Sequence, residues 1–182
     1  MCQKWDSITF EILLQLLKSE AHVRQLSTDL KIPLSTLSRK LTSLRDGLIL
    51  DYKVEGKNYV FFIRKNLIAL KAVLSAENYK LMKTAAKNTF LLPIFEDLAK
   101  IDGMIILFGS YAKGTAKEDS DIDIYIETTE KAIKERAERV YHGLSVKIGA
   151  FNKNDLLMRE IIKNHVIIKR AEEYYEKLGF LA

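Results

Sequence analysis

Residues 108–126 read Phe-Gly-Ser-Tyr-Ala-Lys-Gly-Thr-Ala-Lys-Glu-Asp-Ser-Asp-Ile-Asp-Ile-Tyr-Ile. Two of them, Asp121 and Asp123, are spaced for chemistry. Side chains on a β-strand alternate between faces. Asp121 and Asp123 therefore point to one side, and Ile122, Ile124 and Ile126 to the other. Neighbouring carboxylates repel each other unless a cation lies between them. Hard divalent ions, magnesium above all, take such oxygen ligands, and a pair of them can clamp both ends of a phosphoryl displacement. An Asp-x-Asp triplet alone is common in solvated strands, so the surrounding elements carry the argument.

Residues 104–108 form a continuous apolar run of buried-strand length. It ends at Gly109-Ser110, where a glycine lets the backbone turn and approach a phosphate closely. Ser110 adds a hydroxyl, and the amides after it can form an anion-binding nest. Strand, Gly-Ser turn, polar loop and carboxylate strand make a coherent phosphate-and-metal site. Gly109-Ser110, ten intervening residues, then Asp121-Ile122-Asp123 resembles the signature of minimal nucleotidyltransferases, small members of the DNA polymerase beta-like superfamily. The resemblance spans roughly residues 90–170.

That resemblance implies a small mixed sheet flanked by helices, with Gly109 and Ser110 at a nucleoside triphosphate. It implies Asp121 and Asp123 as the catalytic residues, holding two magnesium ions. The implied reaction moves a nucleoside monophosphate to a hydroxyl acceptor and releases pyrophosphate. It also implies a third carboxylate on a later strand. The matching stretch is residues 143–151, where Val146 and Ile148 read as core and Lys147 stands at the position resembling the third aspartate. A protonated lysine does not bind magnesium. Two readings stay open: another acid, such as Asp155 or Glu127, takes the role, or the domain is a non-catalytic nucleotide sensor or protein scaffold.

The whole chain bounds these readings. At 182 residues it fits one large domain or two small ones, and a hydrophobic content of 48% supplies a core. No apolar run approaches the roughly 20 residues of a membrane-spanning helix, and the first residues do not read as a signal peptide. Cys2 is the only cysteine, which excludes an internal disulfide and suits a reducing cytoplasm. His22, His142 and His165 show no metal-ligand grouping. Residues 1–88 hold 15 Lys and Arg against 8 Asp and Glu, and the remainder holds 14 against 16. The basic half suits a polyanion and the acidic half suits cations.

Within the basic half, Ile8, Ile12, Leu13, Leu16 and Leu17 have helical spacing over residues 7–20, with Asp6 or Ser7 as cap. A second helix is expected over residues 22–30, ended by Lys31-Ile32-Pro33. The third, residues 34–46, places Leu34, Leu37, Leu41 and Leu44 on one face and stops at Gly47. Residues 48–54 and 58–63 read as strands around the turn Glu55-Gly56-Lys57. This order resembles a winged helix-turn-helix domain over about residues 6–64. The resemblance implies that the polar face of the third helix enters a DNA major groove, with Ser38 on it and Arg39 reading a guanine edge. Ser35, Thr36, Lys40 and the wing residues Lys53 and Lys57 would bind phosphates.

Residues 65–88 read as helical, with Leu67, Leu70, Leu74 and Leu81 near heptad spacing, Glu77 interrupting the seam and Ser75 placed to cap a new helix. A short homodimer contact would fit there. Helices are further expected over residues 90–101, 128–141, 154–163 and 171–178, with strands over 121–126 and 145–151 and a short apolar segment at 165–168. The expectation is an α+β chain of three parts: a winged helix-turn-helix domain (1–64), a helical linker (65–89) and a nucleotidyltransferase domain (90–182). The expected function is DNA binding joined to magnesium-dependent nucleotidyl transfer. The alternative is a non-catalytic transcriptional regulator. The family's use in toxin–antitoxin pairs adds a partner protein as a third expectation.

Overall fold

The computed structural model describes residues 5–181, so Cys2 lies outside them. The chain divides into two compact units. The first runs to Tyr79 and takes back the chain from Gly179; the second is Lys80–Leu178.

In the first unit, α1 (Ser7–Lys18), α2 (Val23–Leu30) and α3 (Leu34–Asp46) surround a leucine-rich core. Ile12, Leu13, Leu16, Leu26, Leu37, Leu41 and Leu44 are all buried. Each such side chain contributes about 1.5–3 kcal/mol on removal from water. Asp6 is the α1 cap: its carboxylate accepts from the Thr9 amide at 3.0 Å and the Thr9 hydroxyl at 2.9 Å. The strands β2 (Leu50–Glu55) and β3 (Asn58–Ile63) form the hairpin, and Gly56 at its tip has φ 62°, a conformation that favours glycine. A strand not anticipated from the sequence, β1 (Ala21–His22), pairs with β3 and gives the sheet order β1-β3-β2. His22 ends it and caps α2, its Nδ1 accepting from the Gln25 amide. Three helices and a two-stranded wing make this a winged helix-turn-helix unit.

A single helix, α4 (Leu67–Lys87), replaces the two helices that Ser75 suggested. The Ser75 hydroxyl donates to the Lys71 carbonyl one turn back, which satisfies it inside the helix. The leucine seam is divided between cores. Leu70 is buried in α4, and Leu81 packs against the core of the second unit.

In the second unit, α5 (Leu91–Ala99) leads into β4 (Ile105–Phe108), followed by α6 (Gly109–Lys113), β5 (Ile122–Glu127), α7 (Lys131–Glu138), β6 (Leu144–Gly149), α8 (Leu156–Lys163), β7 (Val166–Lys169) and α9 (Ala171–Lys177). The sheet order is β6-β5-β4-β7. β4 is antiparallel to β5 and β7, whereas β5 and β6 are parallel, so the sheet is mixed. Ile105, Leu107, Ile122, Ile124, Ile126 and Val146 face Leu91, Phe95 and Leu98 of α5 and Ala137 of α7 in one core. The opposite face carries Phe108, Asp123, Tyr125, Ser145 and Lys147, as the strand register requires. Two local expectations change here. The Gly109-Ser110 turn is the start of a five-residue helix, and β5 begins at Ile122, leaving Asp121 just ahead of the strand. Among the described residues, no helix is long and apolar enough to cross a membrane.

Candidate functional site

The site in the second unit forms where β4 ends. Phe108 pairs with Asp123 on one side of β5, and Ser145 pairs with Asp123 on the other. The chain leaves β4 through Gly109 at φ 69°. A Cβ on Gly109 would lie 2.9 Å from the Asp123 Cγ and closer still to its Oδ2, so only glycine lets the backbone pass the carboxylate. Ser110 follows on the first turn of α6, half-buried, and its carbonyl accepts from the Thr115 amide at 3.0 Å. That bond and Gly114 at φ 72° fold the loop back toward Asp121 and β5. Gly109, Ser110 and Asp123 are thus brought together, with Asp121 exposed at the mouth of the strand.

Burial pushes the Asp123 carboxyl above the ordinary carboxylate value, and repulsion from Asp121 adds to the rise. A hydrogen bond from Ser145 and the charges of Lys147 and Lys113 act in the opposite direction. Ser145 is a residue that sequence reasoning missed. Its one signal was its place two residues before Lys147 on the same face of the strand.

The two acids weighed as a substitute for the third carboxylate, Glu127 and Asp155, both act on Tyr125, the next residue on the Asp123 face. Glu127 shares that strand face but lies four residues beyond Asp123, roughly 13 Å at strand rise. It is held by Lys177 at 2.9 Å and by the Phe151 amide at 3.3 Å. Asp155 precedes α8 and accepts from the Asn152 side chain at 3.1 Å. Lys147 remains on the Asp123 face, beside Tyr125. Among the described residues, no three acidic, histidine or cysteine side chains group as metal ligands.

The candidate DNA-binding residues divide as well. Ser35, Ser38 and Arg39 are exposed on α3, and Thr36 is partly so. Lys57 is exposed at the wing tip. Lys40 instead turns toward the start of α1, where its ammonium meets Asp6 at 2.8 Å and the Thr9 hydroxyl at 3.2 Å, leaving the side chain 18% exposed. Lys53 is engaged by both Glu20 and Glu55. Arg45, absent from the sequence-based set, pairs with Asp46 and lies 6.0 Å over the Tyr52 ring.

None of the curated proteins matches this chain. Among solved structures, that of a mutant of Lactococcus lactis ZitR is similar at 16% identity and a TM-score of 0.41, over 50% of this chain and 64% of that one. Less than two thirds of the ZitR chain is therefore spanned. Residues 91–178, which contain the whole Gly109, Ser110, Asp121 and Asp123 constellation, match the family described as nucleotidyltransferase domain.

Proposed function

We propose that the second unit binds a nucleoside triphosphate at Gly109-Ser110 and, with Asp121 and Asp123, transfers its nucleoside monophosphate to a hydroxyl acceptor, while the winged-helix unit binds DNA. The observation that carries this reading is the Gly109 backbone, held at positive φ directly against the Asp123 carboxylate. No structural or packing need of a four-stranded sheet calls for a carboxylate there, and burial makes its charge costly.

The donor set fits magnesium in one specific way. Magnesium keeps several waters and takes one or two protein carboxylates together with substrate phosphates. Asp121 and Asp123 would hold such an ion. When bound, it neutralises charge on the phosphates and aids pyrophosphate departure. The protein's own parts do the rest. Gly109 permits close approach of the triphosphate, Ser110 offers a hydroxyl to it, and Ser145 orients Asp123. The acceptor hydroxyl gives its proton to water as its oxygen attacks the α-phosphorus, a new phosphoester bond forms, and the bond from the α-phosphorus to the oxygen it shares with the β-phosphate breaks, releasing pyrophosphate.

The test is label transfer from α-labelled nucleoside triphosphates, with magnesium or manganese, into DNA, RNA and lysate proteins. Label should appear in one acceptor class and vanish in Asp121→Ala/Asp123→Ala. Label that persists in the double variant would remove these residues from the chemistry. Lys147 favours a second reading, a non-catalytic regulator in which the same site binds nucleotide and biases DNA binding. That reading predicts nucleotide binding without label transfer.

A further inference from the structure

Lys147 sits two residues beyond Ser145 on β6, and Ser145 is the direct neighbour of Asp123. Alternate strand residues share a face, so Lys147 stands on the Asp123 side of the sheet. Diagonal neighbours across two strands are roughly 7 Å apart, within reach of a long side chain. Lys147 is exposed. Two other lysines of this unit are held by carboxylates: Lys113 by Glu160 at 3.4 Å and Lys177 by Glu127 at 2.9 Å. Among the described residues, no carboxylate lies within ion-pair distance of the Lys147 ammonium, and its charge draws the Asp123 carboxyl down.

We propose that Lys147 is a phosphate-binding residue of the nucleotide site, a fixed cation standing where a third carboxylate would otherwise be, so that the site takes a nucleoside triphosphate with one divalent ion. The inference rests on the nucleotide reading above. A lysine ammonium is a point charge well suited to phosphate oxygens. It also repels a second divalent ion from the same corner. Asp121 and Asp123 supply two carboxylates, which suits one magnesium ion that takes its remaining ligands from phosphate oxygens and water.

The experiment is calorimetric titration of the full chain with α,β-methylene triphosphate analogues of the four bases, in EDTA and in magnesium. Wild type should bind at least one analogue in EDTA. Lys147→Ala should weaken that metal-free binding by roughly tenfold or more, Lys147→Arg should preserve it, and Lys147→Asp should abolish it. Asp121→Ala/Asp123→Ala should lose only the gain that magnesium brings. A manganese titration should count one ion per bound nucleotide in wild type. Unchanged metal-free binding in Lys147→Ala, or two manganese ions per nucleotide in wild type, would overturn the role of Lys147 alone. No binding by wild type in either buffer would overturn this inference together with the nucleotide reading.

Discussion

Gly109 has no room for a methyl group. Its φ of 69° is one that a residue with a Cβ adopts at a cost of about 1–2 kcal/mol. The added carbon would also meet the Asp123 carboxylate, whose strand is paired on both sides, with Phe108 and with Ser145. Gly109→Ala should therefore lower unfolding free energy by about 2 kcal/mol or more and abolish nucleotide binding. Gly149 is the matched control. A Cβ there meets nothing within 4 Å, so Gly149→Ala should change stability by less than about 0.5 kcal/mol. Denaturant melts and nucleotide titrations of the two variants read this directly. A Gly109→Ala protein with wild-type stability and affinity would mean that the close approach has no role. The same site states the limits of a one-dimensional reading. Asp123 and its glycine were legible because they lie fourteen residues apart in a patterned stretch. Ser145, which lowers the Asp123 carboxyl value, comes from the neighbouring strand, and no spacing rule announces a residue placed by parallel pairing.

At the scale of elements, the start of α1 joins a cap to an ion pair. Burial on its own would raise the Asp6 carboxyl, but the Lys40 ammonium and the Thr9 amide and hydroxyl outweigh it and hold Asp6 below the ordinary carboxylate value. The folded state thus binds fewer protons than the unfolded chain in the window between the two values, and stability rises with pH across it. The contribution is complete above the ordinary carboxylate value and is lost as pH falls through the folded one. Asp6→Ala should cost about 1–2 kcal/mol at neutral pH, and its deficit against wild type should shrink in acid. Asp6→Asn keeps a capping oxygen and loses only the charge, so it should fall between the two. Denaturant melts at several pH values decide this, and a deficit that does not change with pH would dismiss the ion pair. Element by element, the sequence was readable where periodicity was long. The limits of α3 follow from leucines three and four apart and from Gly47 at its end. The two-residue β1 and five-residue α6 are too short to leave a period, and they exist because β3 and β5 are there to pack on. Lys40 lies on the helix with Arg39, yet its partner is 34 residues earlier in the chain, and only the fold brings them together.

For the whole molecule, the division of charge governs what each half can bind. The excess of Lys and Arg lies in residues 1–88, the part that carries the winged helix, and the slight excess of Asp and Glu lies beyond it. On the DNA-binding reading proposed above, phosphate contacts by the first half would release counterions, so the logarithm of DNA affinity should fall linearly with the logarithm of salt concentration, by about 0.9 for each phosphate neutralised. The ion pairs divide the candidate lysines. Lys57 is exposed at the wing tip, and Lys57→Ala should reduce the salt slope by about 1. Lys53 is already balanced by Glu20 and Glu55, so Lys53→Ala should leave the slope nearly unchanged. Arg39 is exposed on α3 and should act on sequence preference instead. Arg39→Ala should cost about 1–3 kcal/mol on the duplex selected from a random library and much less on unrelated DNA. Fluorescence anisotropy on selected and scrambled duplexes over a range of salt concentrations measures all three. Affinity indifferent to salt, or a Lys57→Ala slope equal to that of wild type, would show that the wing is not a DNA-facing surface, and a Lys53→Ala loss equal to that of Lys57→Ala would show that Glu20 and Glu55 do not hold Lys53 away from phosphate. A charged face that is merely solvated loses nothing when one of its cations is removed, and a face that holds phosphates loses a counterion-release term for each.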